Sequence, residues 1–152
     1  MDNVVRIYTD GACKNNPGPG GWAAILTYNG AERGLSGYKL QTTNNEMELT
    51  ALYQALLLLK TSSKLEIYAD SKYVVDSISK GWVFNWIKKG EINKRPNGEL
   101  WLATINELRK HEYTLHWLKG HNGHKYNEMC DVMAVQQRDF ADNVVKDTGS
   151  IY

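Results

Sequence analysis

Two cysteines, Cys13 and Cys130, are all that 152 residues contain. That is too few for a disulfide framework, and both read as small buried hydrophobic side chains in a reducing compartment. Long apolar runs are missing as well, and Ala55 to Leu59 is far too short to cross a bilayer. Met1-Asp2-Asn3 offers no basic start and no apolar segment, so no secretory signal is expected and the cytoplasm is the default. No internal repeat, low-complexity tract or linker divides the chain. An excess of one charge is lacking too: 18 Lys and Arg stand against 17 Asp and Glu, a formal +1, which by itself announces no nucleic-acid partner. A hydrophobic content of 42% is that of an ordinary globular protein, and the length suits one domain with a sizeable core.

What is present is patterned. Val4 to Asp10 is rich in strand formers and should stop at Asp10-Gly11. Lys14 to Gly21 is a loop by composition. Trp22 to Tyr28 and Arg33 to Leu40 read as an antiparallel hairpin around Asn29-Gly30. A helix follows over 44–60, with Thr43, Asn44 and Asn45 as cap candidates. Leu65 to Asp70 is a fourth strand that again ends in Asp, and a helix begins near Lys72. The strand, helix, strand order favours parallel pairing of strands four and one. Residues 82–89 and Leu100 to Lys110 are expected to be helical, Thr114 to Leu118 reads as a fifth strand, and Gly120 to His124, with two glycines, is expected to be a mobile loop. A last helix covers Asn127 to about Asp142, and the polar tail 143–152 is expected to be frayed and disordered. The expectation is an α/β domain over 1–142 with a mixed sheet.

Glu48 is the residue that draws attention. Ala51, Leu52, Ala55 and Leu59 share its helix face, so a carboxylate points toward the core side. A buried acid is costly unless it is paired, hydrogen-bonded or bound to a metal. Asp10 and Asp70 end neighbouring strands, at the edge where open α/β sheets bind ligands, and Asp131 lies early in the last helix. Each alone suits a turn, a helix start or a rim position. Four carboxylates gathered at one edge need protons or a metal, and hard oxygen donors suit Mg²⁺ or Mn²⁺. Two such ions form the clamp used for in-line phosphodiester cleavage.

Five stretches then carry a resemblance. They are Asp10 to Trp22, Thr42 to Glu48, Asp70 to Tyr73, Lys119 to His124, and Asn127 to Asp131. Together, in order and spacing, they resemble type 1 ribonuclease H, over nearly the whole chain. The resemblance implies a ribonuclease H-like fold: a five-stranded sheet with strands one to three antiparallel and strands four and five parallel to strand one. It implies an endonuclease that cleaves the RNA strand of RNA–DNA hybrids, leaving 5′-phosphate and 3′-hydroxyl ends. Asp10, Glu48, Asp70 and Asp131 match the metal-binding carboxylates, and His121 matches the catalytic histidine. Asn16, Thr43, Asn44, Asn45 and Asn127 match residues on the substrate side.

Residues 80–95 hold Lys80, Lys88, Lys89, Lys94 and Arg95 against Glu91, a local +4 by subtraction (5 − 1). The segment, about 80–98, matches the family's basic protrusion, with Trp82, Trp86 and Trp101 near the expected substrate channel; Trp86 also suits a staple to the core. Cations beside aromatics fit a nucleic-acid backbone. Lys88 and Lys89 are candidate phosphate contacts, and Lys72 reads either as another or as a solvated cation. The segment departs from the best-known pattern, with Glu91 where an aromatic is common. A zinc site built on His121, His124 and Cys130 lacks the close, regular pairing of structural zinc sites. The expected cofactor is Mg²⁺, two ions during catalysis, with Mn²⁺ as a substitute; the expected form is a free-standing monomer. Rivals are a related nuclease such as a junction resolvase or integrase core, a non-catalytic hybrid binder, and a domain of a reverse transcriptase.

Overall fold

The computed structural model describes residues 3–118 and 124–151. Its five strands are β1 (Val4–Cys13), β2 (Gly18–Tyr28), β3 (Ala31–Thr42), β4 (Lys64–Ala69) and β5 (Glu112–Trp117). The helices are α1 (Asn44–Leu57), α2 (Lys72–Ser79), α3 (Trp82–Lys88), α4 (Gly98–Leu108) and α5 (Lys125–Ile151), with a 3-10 turn at Ile92–Lys94. The sheet order is β3-β2-β1-β4-β5. β1, β2 and β3 form an antiparallel meander, and β4 pairs in parallel with both β1 and β5. The mixed sheet expected from the sequence is the one found.

Strand periodicity distributes the core between two faces. Along β2, Ala24 and Leu26 join the larger cluster with Ile7, Leu49, Leu52, Leu56, Ile67, Val74, Trp101, Ile105 and Leu108. Ala23 and Ile25 point the other way, onto Cys130 and Ala134 of α5. Successive strand side chains alternate between faces, so one strand serves both layers. α1 and α4 cover one face and α5 covers the other. Fully buried leucines such as Leu52 and Leu56 each contribute about 1.5–3 kcal/mol relative to exposure.

Glycine sets how closely α5 approaches. A Cβ at Gly21 would lie 2.3 Å from the Ala134 carbonyl oxygen and 2.5 Å from the Arg138 amide nitrogen. The helix backbone therefore rests directly on β2.

Several boundaries differ from the sequence reading. β1 does not stop at Asp10-Gly11 but continues to Cys13, because Gly11, Ala12 and Cys13 pair with Trp22, Gly21 and Gly20. The glycines that read as loop are thus strand, and β2 starts at Gly18. The Asn29-Gly30 turn is as expected, both residues having positive φ (49° and 83°). α1 ends at Leu57, short of Lys60. α5 is helical to Ile151, so the polar segment after Asp142 is not frayed as far as that residue. Tertiary contacts hold its middle: Ala141 is buried, Phe140 packs edge-on to Tyr38, and Asp142 bonds Lys14 (2.8 Å) and Lys146 (2.9 Å). Cys130 is buried as expected, while Cys13 is only half-buried, its Sγ donating to the Thr42 and Gly18 carbonyls.

Candidate metal centre

Three of the four acids meet. Asp10, Glu48 and Asp70 each place a carboxylate oxygen within 4.8 Å of the others. Asp10 stands on β1, 3% exposed, and its Oδ1 accepts the Gly11 N–H at 2.8 Å. Asp70 follows β4, which runs parallel to β1, and Asp10 and Asp70 each come directly after the last pair of that ladder, Thr9 with Ala69, so the two acids stand side by side. Glu48 comes from α1, and Gly11 allows its approach: a Cβ there would sit 2.6 Å from the Glu48 amide nitrogen. Ala51, Leu52 and Ala55, the apolar positions on its helix face, are fully buried, so Glu48 is carried in with them to 9% exposure.

Burial, and then the charges of Asp10 and Asp70, push the Glu48 carboxyl well above the usual carboxylate range. Its Oε2 is buried and, among the described residues, meets no hydrogen-bond partner. An acid in that condition holds a proton or takes a cation. The donor set is all hard oxygen, which fits a divalent ion of the magnesium type. Nearby Cys130 does not compete for it: burial pushes its thiol up to about 12, so it stays protonated.

Asp131 is exposed on α5 and is not one of the three. Its neighbour Cys130 donates from Sγ to the Tyr8 carbonyl at 3.4 Å, which docks that turn of α5 beside β1. His121, with the rest of 119–123, lies outside the described residues.

The start of α1 is built from the residues singled out in the sequence. Thr43 is the cap, its Oγ1 accepting the Glu46 N–H at 3.1 Å. Asn16 reaches across from the β1–β2 connection, and its Oδ1 accepts the Asn44 N–H at 3.0 Å. Asn44 and Asn45 remain exposed. Glu46, which the sequence reading passed over, ties this corner together. It takes hydrogen bonds of 2.6 Å from Thr42 and Lys39. Burial pushes its carboxyl up, but those two bonds outweigh it and hold it below the usual value.

Two expected substrate contacts fall to burial. Trp101 is 0% exposed, because it shares the core face of α4 with Ile105 and Leu108 at i+4 and i+7. Its Nε1 donates to the Tyr73 hydroxyl at 2.6 Å, a core bond. Asn127 is likewise 0% exposed, on the α5 face that buries Cys130 and Ala134 at i+3 and i+7. By contrast Trp82, at 44%, is open, with the Lys80 ammonium 5.3 Å from its ring centre. Lys88 and Lys89 are exposed at the end of α3, Val83 pins that helix to the core, and Trp86 packs there with Arg95 over its ring. Lys72 is exposed over Trp117, whose Nε1 donates to the Asp70 carbonyl at 3.0 Å. The sequence reading missed Trp117; its signal was an aromatic at the end of a strand parallel to the one that ends at Asp70.

Residues 2–139 match the RNase H family model. Ribonuclease H of Rickettsia akari (strain Hartford) is 47% identical over 153 residues, covering 98% of this chain and 100% of the relative. The solved structure of LC9-RNase H1, described as a type 1 RNase H with the type 2 active-site motif, superposes with a TM-score of 0.80 at 28% identity. That superposition covers 93% of this chain and 74% of the other. LC11-RNase H1, solved in complex with RNA/DNA hybrid, shares the fold at a TM-score of 0.66 and 24% identity, over 90% of this chain and 98% of that one. The chain that gathers these acids at the β1–β4 strand ends belongs to the ribonuclease H family, a family of nucleases, as a type 1 member.

Proposed function

We propose that this ribonuclease H cleaves RNA in RNA–DNA hybrids as a monomeric, Mg²⁺-dependent endonuclease of the cytoplasm. Two ions serve the reaction, and the products carry 5′-phosphate and 3′-hydroxyl ends. The observation that carries the reading is the convergence of Asp10, Glu48 and Asp70 within 4.8 Å, in a chain matched to its family over residues 2–139. The hybrid, seen in the LC11-RNase H1 structure, is the natural substrate to transfer to this relative.

Asp10, Glu48 and Asp70 would hold the metal, with Asp131 completing the set. Bound divalent ions supply a water of lowered pKa and neutralise the oxygen that leaves. Glu48 would bind such an ion as a carboxylate, since a nearby cation opposes the effect of burial and like charge. Asn44 and Asn45 stand exposed at the head of α1, where amide side chains can both donate to and accept from a ribose 2′-hydroxyl. Asn16 and Thr43 fix that corner through their bonds to α1. Trp82, Lys88 and Lys89 face solvent on α3, reached through α2, whose eight residues span on the order of 12 Å. They suit the DNA strand, gripped by charge and ring contact. His121 would assist proton transfer or product departure.

The test is cleavage of one labelled duplex in Mg²⁺, presented as RNA–DNA, RNA–RNA and DNA–DNA, by wild type and Asp70→Asn. Hybrid-only cleavage, abolished by Asp70→Asn, is expected. Cleavage that survives the substitution would place the chemistry elsewhere, and tight binding without cleavage would make the protein a hybrid binder.

A further inference from the structure

The turn that carries Asp70 is held from the side by a residue outside the acidic cluster. β5 lies in parallel register with β4, so Trp117 stands opposite Ala69. The Trp117 indole donates to the Asp70 carbonyl at 3.0 Å, and the next amide, Leu118 N–H, donates to the Ala69 carbonyl at 2.8 Å. Two bonds thus tie the end of β5 to consecutive residues of the strand end that presents the acid. A tryptophan needed only for packing would be buried, as Trp101 is; Trp117 remains 40% exposed. Its open ring is matched with a cation. The Lys72 ammonium stands 4.7 Å from the ring centre, inside the roughly 6 Å over which an aromatic face attracts a positive charge. Among the described residues no carboxylate pairs with Lys72.

A lysine on a four-carbon stem ordinarily wanders, and ordering it on a ligand costs rotamer freedom. Here the ring orders it beforehand, and the indole N–H fixes the ring to the same turn that carries Asp70. The arrangement puts a pre-set ammonium two residues from a metal-site carboxylate. A compact ammonium binds phosphate as a point charge.

We propose that Trp117 is a positioning residue: it fixes Lys72 beside Asp70 as a phosphate-binding group for the nucleic-acid strand engaged at the metal centre. The proposal rests on the hybrid-hydrolase reading above. Its force lies in the coupling: Trp117 acts through Lys72.

The test is equilibrium binding of a short RNA–DNA hybrid, in EDTA, at several salt concentrations, to wild type, Lys72→Ala, Lys72→Arg, Trp117→Leu, Trp117→Phe and the pairs Lys72→Ala/Trp117→Leu and Lys72→Ala/Trp117→Phe. Lys72→Ala should weaken binding several-fold and reduce the slope of log affinity against log salt by about one. Lys72→Arg should keep the slope. In the Trp117→Leu background the Lys72→Ala effect should shrink to less than about twofold. Trp117→Phe keeps a ring without the N–H, should retain part of the coupling, and serves if the leucine variant does not fold. A merely structural Trp117 would lower the melting temperature and leave the Lys72 effect intact. An equal loss from Lys72→Ala in wild-type, Phe and Leu backgrounds overturns the proposal, as does no Lys72 effect at all. Binding in EDTA requires no catalysis. A wild type that binds hybrid and fails to cleave it therefore overturns the hydrolase reading alone.

Discussion

Glu48 shows most directly what a single residue does here. Its folded-state pKa lies above the unfolded one, so what Glu48 contributes to the stability of the metal-free protein is fully present at pH below the unfolded carboxyl value. That contribution is lost as pH rises through the folded value. Glu48→Gln removes that loss. In EDTA at neutral pH the variant should melt above wild type, and Mg²⁺ should then stabilise it far less; calorimetric melts with and without the ion decide both. His111 behaves oppositely. Its Nδ1 accepts the Ser63 N–H at 3.0 Å, and burial pushes its pKa down. The unfolded chain therefore binds the proton first, and stability falls as pH drops from the unfolded histidine value toward the folded one. Urea midpoints of wild type and His111→Gln should diverge at pH 7–8, where the Ser63 bond is intact, and converge near pH 5. Asp10, Glu48 and Asp70 could be picked out in the sequence because two follow runs of strand formers and the third shares a helix face with apolar residues; the place of Asp131 rested on the family resemblance. The Trp101 contact was not, since spacing within α4 shows a core stripe but not that Tyr73 closes over the indole nitrogen.

At the scale of elements, the junctions between backbone and backbone carry the site. Thr43 caps α1, and Thr43→Ala should cost about 1 kcal/mol of stability, while Thr43→Ser keeps the oxygen and most of the effect. Gly21→Ala would drive a methyl into the α5 backbone. It should cost roughly 1–3 kcal/mol in denaturant titration, because neither the Ala134 carbonyl nor the Arg138 amide can move without the helix. Strand and helix types were readable from period and turn residues. Their ends were not. β1 runs past Asp10-Gly11 because β2 offers partners there, and α5 passes Asp142 because the β1–β2 connection and β3 supply Lys14 and Tyr38. Local sequence carries the tendency, and distant partners decide where it stops.

For the whole molecule, a net charge of +1 leaves substrate attraction to local arrangement. On the proposed reading, two bound Mg²⁺ would bring the total to +5 by addition (+1 + 4), and the metal would then add to hybrid attraction as well as to chemistry. Lys88→Ala with Lys89→Ala should lower the salt slope of hybrid binding by up to about two, read by titration across salt. An unchanged slope would remove α3 from the interface.

The meander leaves β3 at the rim of the sheet, and at 12 residues it is the longest strand. Such a rim is a template on which a second copy could grow a continuous ladder. Glu32, Arg33 and Lys39 punctuate it with both signs of charge, and α5 clasps one face through Gln137 and Phe140. Mixed charge on the strand that completes the fold thus works against such a ladder. Exchanging those three charged residues for threonine should raise edge-to-edge self-association above that of the wild type, visible as rising light scattering at unchanged helix content.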